Sequence, residues 1–229
     1  MVDYHIHILP GLDDGASSRE EFLEMAREAQ KAGTTCLVAT PHFLPGVYAT
    51  RRELVLAAVA EGCRLLQENG VDLRLKPGME VYLTPELPSL AREGHLLTLG
   101  GGRHLLIEFP FQEVPIYAEQ ALFQLMLQGL TPVLAHPERN RWVQEDQDRL
   151  ARLVGRGCLV QINAGSLFGE YGRRAKAAAE SLVRRGFVHL LGSDAHSPRT
   201  PALNMTAARK RIAQLQGPAG ATLIDDPLF

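Results

Sequence analysis

Strand-like and helix-like segments alternate along this chain with a repeat of about thirty residues, and that rhythm confines it to α/β folds with parallel strands. The apolar strand segments fall at residues 2–6, 36–39, 73–76, 104–107, 132–135, 159–162 and 188–191. Between the first two, Ser18 and Glu21 have capping-box spacing, Phe22, Met25, Ala26 and Ala29 recur at helical intervals, and Gly33 is a natural stop. Thr50 and Glu53 supply a second capping box for a helix ending near Gly70. A short helix is expected over 85–92, and further helices over 117–128, 146–154, 176–185 and 202–215. Pro77 and Gly78 make the third strand irregular. Seven strands with no eighth favour a distorted TIM-like (β/α)7 barrel, a single domain spanning residues 1–229, over a doubly wound open sheet.

In either parallel architecture the residues that follow the strands emerge on one face. Six of the seven strand ends offer metal ligands: His5 and His7, His42, Glu80, Glu108, His136, and Asp194 with His196. Asn163 follows the remaining strand, where it either lines the pocket or bonds a loop. The two histidines of His5-x-His7 lie on the same side of an extended strand, and Asp194-x-His196 repeats that spacing. A carboxylate buried after an apolar strand costs several kcal/mol if unpaired, so Glu80 and Glu108 call for arginines or a cation, and the accompanying histidines favour the cation. Mixed nitrogen and oxygen ligation suits zinc, manganese or iron. Two such ions about 3.5–4 Å apart activate water and stabilise in-line displacement at phosphorus. Arg139 and Arg199, each three residues beyond a rim histidine, are placed to bind phosphate. His95, His104 and His189 fall in a loop or at strand starts and are read as structural or solvated.

The bulk properties exclude several other classes. A net charge of −2 over 229 residues, with both signs mixed along the chain, leaves no basic stripe for nucleic acid. Residue 1 runs directly into a strand segment, and nowhere do about eighteen apolar residues run together, so a soluble cytoplasmic chain without membrane insertion is expected. Cys36, Cys63 and Cys158 are odd in number and widely spaced, which favours buried reduced thiols over disulfides. The residue six positions after each is His42, Asn69 or Ala164, so the cysteine-arginine pair of thiol-based phosphatases is missing.

The run Asp3-Tyr4-His5-Ile6-His7-Ile8-Leu9-Pro10-Gly11-Leu12-Asp13-Asp14-Gly15 resembles the capsular-polysaccharide-type bacterial protein-tyrosine phosphatases of the polymerase and histidinol phosphatase (PHP) superfamily. Thr40-Pro41-His42, Gly78-Met79-Glu80-Val81-Tyr82, Ala135-His136-Pro137-Glu138-Arg139 and Ser193-Asp194-Ala195-His196 extend that resemblance over nearly the full chain. It implies a distorted seven-stranded barrel with two or three divalent ions, manganese favoured over iron, zinc or cobalt. By the same resemblance His5, His7, Glu80 and Asp194 hold one ion, and Glu80 bridges to a second held by Glu108 and His136. Asp14, His42 and His196 hold a third, with Asp13 the alternative to Asp14. Arg139 and Arg199 match the family's phosphate-binding arginines. The expected reaction is hydrolysis of phosphotyrosine by a metal-bound hydroxide, and the expected partner is the tyrosine-rich tail of a bacterial autokinase of exopolysaccharide synthesis.

A small-molecule phosphatase, such as one for histidinol phosphate, would use the same metal core with different pocket walls. A noncatalytic metal-dependent binding module would hold metal and peptide without releasing phosphate.

Overall fold

Every strand ladder is parallel, as the alternating sequence requires. The computed structural model describes residues 1–48, 50–199, 205–216 and 223. Its strands are β1 (Val2–Ile6), β2 (Cys36–Ala39), β3 (His42–Phe43), β4 (Arg74–Pro77), β5 (Glu80–Tyr82), β6 (His104–Glu108), β7 (Thr131–Ala135), β8 (Leu159–Asn163) and β9 (Leu190–Gly192). One ladder has the order β1-β2-β4 and the other β3-β5-β6-β7-β8-β9. Pro41, which has no N–H to give, separates β2 from β3, and Gly78 and Met79 separate β4 from β5. Each split pair forms one broken stave, so the strands make the expected seven staves. The barrel closes where β1 meets the chain after β9: Ile6 bridges Ala195, His7 N donates to Ala195 O at 3.0 Å, and Asp194 N donates to His5 O at 2.7 Å.

Helices α1 (Arg19–Lys31), α2 (Arg52–Glu68), α3 (Leu87–Arg92), α4 (Ala118–Leu127), α5 (Arg141–Glu145), α6 (Asp148–Gly155), α7 (Gly172–Arg184) and α8 (Met205–Gln216) fill the connections. No described helix is long and apolar enough to cross a membrane. Phe22, Met25, Ala26 and Ala29 are the buried face of α1, and Ser18 Oγ caps it by accepting from Glu21 N at 3.3 Å. Glu21 answers one residue earlier than a standard box, accepting from the backbone and hydroxyl of Ser17. The second expected box does not form. Thr50 donates its hydroxyl to Leu12 O at 3.1 Å, and α2 begins after Arg51 with no side-chain cap. The loop tie thus takes the hydroxyl that the local sequence offered to the helix. Helix α5 was not expected, and positions 202–204 of the expected closing helix lie outside the described residues. Cys36 and Cys158 are buried free thiols, whereas Cys63 is exposed, a departure from the expected burial.

Strand alternation sorts the core into two clusters. Leu37, Leu105, Ile107, Leu134, Val160, Ile162 and Leu191 point outward and pack with the helices. Tyr4, Val38, Leu106, Val133, Ala135 and Leu190 point inward, joined by Leu99 from the short turn before β6. Strand β1 changes phase between these clusters: Tyr4 belongs to the inner set and Ile6 to the outer, with a register shift between Asp3 and Ile6. Asp3, fully buried, holds that irregularity by accepting from His5 N at 3.2 Å and Ser193 N at 2.9 Å. The shift turns His5 and His7 inward above Tyr4, the re-aiming that bulges commonly perform beside functional sites.

Candidate metal centre

The carboxyl ends of the staves deliver the predicted side chains to one rim. Close backbone packing makes this possible at two glycines. A Cβ on Gly15 would lie 2.1 Å from His7 O, and one on Gly192 would lie 2.5 Å from His5 Cβ. Only His136 and Asp194, with φ of 31° and 53°, are non-glycine residues with positive φ among the described residues. Such conformations cost roughly 1–3 kcal/mol each, and here both coincide with predicted ligands.

His5, His7, Glu80 and Asp194, all buried, form the innermost group. His5 Nε2 lies 3.0 Å from His7 Nε2, 3.1 Å from Glu80 Oε2 and 3.4 Å from Asp194 Oδ1. His7 Nε2 lies 3.2 Å and 3.4 Å from the same two oxygens. A tetrahedral ion with ligands at about 2.0–2.1 Å has edges of about 3.3–3.4 Å, close to these separations. The hydrogen bonds behind the rings fix their tautomers. Gln161 Oε1 accepts from His136 N at 3.3 Å, so it also accepts from His5 Nδ1, 3.0 Å away. Asp13 Oδ2 accepts from His7 Nδ1 at 2.6 Å and from His42 N at 2.9 Å. Both Nε2 atoms therefore present lone pairs to each other and to two carboxylate oxygens. Glu80 Oε2 has no hydrogen-bond donor although it is buried. With both rings neutral, four acceptors converge with no donor between them, a set that fits a cation and, without one, draws protons onto the two Nε2 atoms.

A second group comprises His42, Glu80 and Glu108, and a third comprises His7, Asp14, His42 and His196. The resemblance had implied His136 beside Glu80 and Glu108. His136 Nε2 is indeed 2.9 Å from Glu80 Oε1 and 3.8 Å from Glu108 Oε1, but His42 Nδ1, 3.0 Å from Glu80 Oε2, reaches into the same group. The third group is more open, with the Asp14 side chain 54% exposed. His196 Nδ1 donates to Asp194 O at 2.9 Å, which leaves its Nε2 facing Asp14 Oδ1 at 3.5 Å. Asp13 and Asp14 thus have separate places: Asp13 orients His7 and accepts from Gly15 N at 3.0 Å, while Asp14 joins the open group.

Electrostatics follow the geometry. Burial opposes a charge on His5, but Glu80 and Asp194 outweigh it and push its pKa up to about 9. His7 is likewise held well above its ordinary value against burial, by hydrogen bonds with Asp13, Asp194 and Glu80. Burial would raise Glu80 and Asp194, yet the facing histidines, His5 first, hold both well below the usual carboxylate range. Glu108 is pushed up by burial and then by the charge of Glu80. Without a metal the cluster gathers protons, and a divalent ion supplies the same positive charge at the same point.

Strand β8 contributes no ligand to these groups but orients several. Asn163 donates Nδ2 to Asp194 Oδ2 at 2.7 Å and accepts from Gln161 Nε2 at 2.9 Å. Glu138, wholly buried, fixes that strand end by accepting from Asn163 N at 2.9 Å and Ser166 Oγ at 2.6 Å. Gln161 and Glu138 were missed in the sequence. For Gln161 the available signal was its alternation with Val160 and Ile162 in β8; Glu138, in the turn after His136, has no such signal, and nothing local reveals the distant partners of either. His95 is exposed, His104 is buried at the start of β6, and His189 accepts from Val160 N at 3.1 Å, all apart from the metal groups.

Arg139 donates Nη1 to Asp194 Oδ2 at 2.6 Å. Its guanidinium carbon lies 4.9 Å from the Phe111 ring centroid and 4.4 Å from that of Tyr171. Arg199 is exposed, its charge acts on Glu21 at the start of α1, and no contact among the described residues joins it to the cluster.

The family model described as capsular polysaccharide synthesis, CpsB/CapC, matches residues 1–224. The chain is 40% identical over 200 residues to the tyrosine-protein phosphatase YwqE of Bacillus subtilis, covering 87% of this chain and 79% of that protein. It is 30% identical over 234 residues to the tyrosine-protein phosphatase CpsB of Streptococcus pneumoniae, covering 99% and 96%. A solved structure from work on YwqE and CpsB, described as metal-dependent tyrosine phosphatases, matches with a TM-score of 0.90 at 38% identity, covering 93% of this chain and 87% of that one. The histidinol phosphate phosphatase of Lactococcus lactis, at 17% identity, shares the fold with a TM-score of 0.59 and 93% of each chain covered.

Proposed function

Because the chain belongs to the CpsB/CapC capsular polysaccharide synthesis family, we propose that it is a metal-dependent phosphatase of phosphotyrosine in proteins. Its substrate is the tyrosine-phosphorylated tail of an autokinase of exopolysaccharide synthesis, and its metal is manganese in two or three sites. The observation that carries this reading is the convergence of His5, His7, Glu80 and Asp194, whose ligand atoms are spaced 3.0–3.4 Å apart where distances connect them and, with the rings neutral, have no proton donor between them. Those four residues hold one ion. Glu80 and Glu108, flanked by His136 and His42, hold a second, and Asp14, His42 and His196 hold a third. Ions bound there supply an activated water at neutral pH and Lewis acidity toward phosphoryl oxygens.

The protein's own groups do the positioning. Arg139 spends Nη1 on Asp194, which aims the rest of its guanidinium at the rim, and the rings of Phe111 and Tyr171 limit its swing. Arg199, on the loop after His196, is the second phosphate-binding arginine in this reading. Tyrosinate, with a conjugate-acid pKa near 10, leaves without a strong general acid, so this reading assigns none.

Turnover of phosphotyrosine peptides by the manganese-reconstituted protein, compared with histidinol phosphate, tests the assignment. Peptide hydrolysis that is lost on chelation and restored by manganese is expected. Activity that survived both thorough chelation and removal of His5 and His7 would refute it, and turnover confined to histidinol phosphate would reassign the substrate.

A further inference from the structure

Phe111 is the exposed aromatic residue whose position beside the cluster is fixed. Its ring centroid lies 5.8 Å from that of His136 with the planes 19° apart, and the Arg139 guanidinium carbon is 4.9 Å from the same ring. It is nevertheless 38% exposed. Its backbone is held on both sides: Arg141 N donates to Phe111 O at 2.8 Å, and Asn140 Nδ2 donates to Pro110 O at 2.9 Å. Those donors belong to the segment that carries His136 and Arg139, so the ring, the imidazole and the guanidinium are built as one unit. Phe109, two residues before Phe111, is buried against Trp142 with centroids 5.9 Å apart, which anchors the loop from beneath.

The ring is packed on one side by His136 and Arg139, and the part of its apolar surface that stays in water at the polar rim is open to a ligand. We infer that Phe111 is a specificity-determining residue that receives the aromatic ring of the leaving group. This deepens the phosphatase reading and rests on it. Phosphoryl oxygens are drawn inward to the cation-binding donors and to Arg139, so the ester oxygen that carries the leaving group faces outward. A group leaving in that direction passes the rim on which Phe111 stands. An aryl group there gains an offset-stacked or edge-to-face contact, and a short alkyl group does not.

The test uses the metal-loaded full chain and one peptide frame carrying either phosphotyrosine or phosphoserine. The readout is the ratio of kcat/KM for the two, measured in Phe111→Ala, Phe111→Leu and Phe111→Tyr, together with bound metal and inhibition by inorganic phosphate. In Phe111→Ala the ratio is expected to fall about tenfold, the size an aromatic pair supplies. Phe111→Leu, which keeps bulk without a ring, falls part of the way, and Phe111→Tyr keeps the ratio. Bound metal stays near the wild-type level, and any weakening of phosphate inhibition through a looser Arg139 falls equally on both peptides and cancels in the ratio. Equal losses on both substrates, or an unchanged ratio in Phe111→Leu, overturn the inference while leaving the phosphatase reading intact. A wild-type protein that hydrolyses neither peptide overturns both.

Discussion

Leu106 and Glu108 lie on one strand and face the same way, yet the first closes an apolar layer and the second borders the ligand cluster. Below, Val38, Leu106, Val133 and Leu190 fill the barrel by shape and dispersion, and their side chains carry no donor or acceptor to satisfy. Above, His5, Glu80, His136, Gln161 and Asp194 are about as deeply buried, but each depends on directional contacts. The difference teaches that backbone topology brings residues to the rim but does not aim them. Aiming is done by a separate set of polar side chains: Asp3 under the β1 irregularity, Asp13 behind His7, and Gln161 and Asn163 behind His5 and Asp194.

If the layers are as distinct as this, their substitutions fail in different ways. Replacing His5 and His7 together by Ala should reduce phosphatase turnover to background and remove bound metal while the far-ultraviolet dichroism is kept. Loss of the folded signal would show that the upper layer also holds the barrel together. Leu106→Ala should do the reverse. A buried leucine truncation costs about 2–5 kcal/mol, readable in urea denaturation of the metal-free protein, while metal binding per folded molecule is kept. Gln161→Leu probes the aiming set between them. Its expected effect is a 10–100-fold loss of metal affinity by the usual scale for groups that orient ligands, approximately tracked by competition with a chelator.

The smallest effect belongs to a histidine outside both layers. Burial holds the pKa of His189 below its ordinary value, and the neutral ring accepts from Val160 N. As pH falls below about 6.5 the unfolded chain takes up this proton before the folded chain does. The stability contributed by the neutral ring is therefore complete above that pH and is lost as pH falls through the folded pKa. His189→Gln should flatten the fall in melting temperature between pH 7 and 5, relative to wild type, without changing metal content.

The ligand types and the rim were legible because strand ends in a parallel fold have only one place to go. Arg139 was legible for the same reason, lying three residues past His136. The aiming residues were not, since Asn163 and Asp194 meet across 31 positions and His5 and Gln161 across 156. Alternation says which face a side chain takes and nothing about its partner. Thr50 shows the opposite failure: a local motif was present, and a tertiary contact with Leu12 took its hydroxyl. The placement of His42 between two groups also escaped the sequence, because it depends on the break at Pro41 that turns β3 out of line with β2.

The seam between β1 and the chain beyond β9 gives the molecule a timetable. Ser193 N and Asp3 Oδ1 are partners 190 residues apart, and the adjoining His5 and Asp194 belong to the innermost ligand group. His5 and His7, at the end of β1, must therefore wait for the last stave before the innermost group is complete. Contacts this remote in sequence form late and slowly. A nascent chain cut short before residue 194 would carry every donor of the second group and no complete innermost group, so the innermost group alone reports that the barrel has closed.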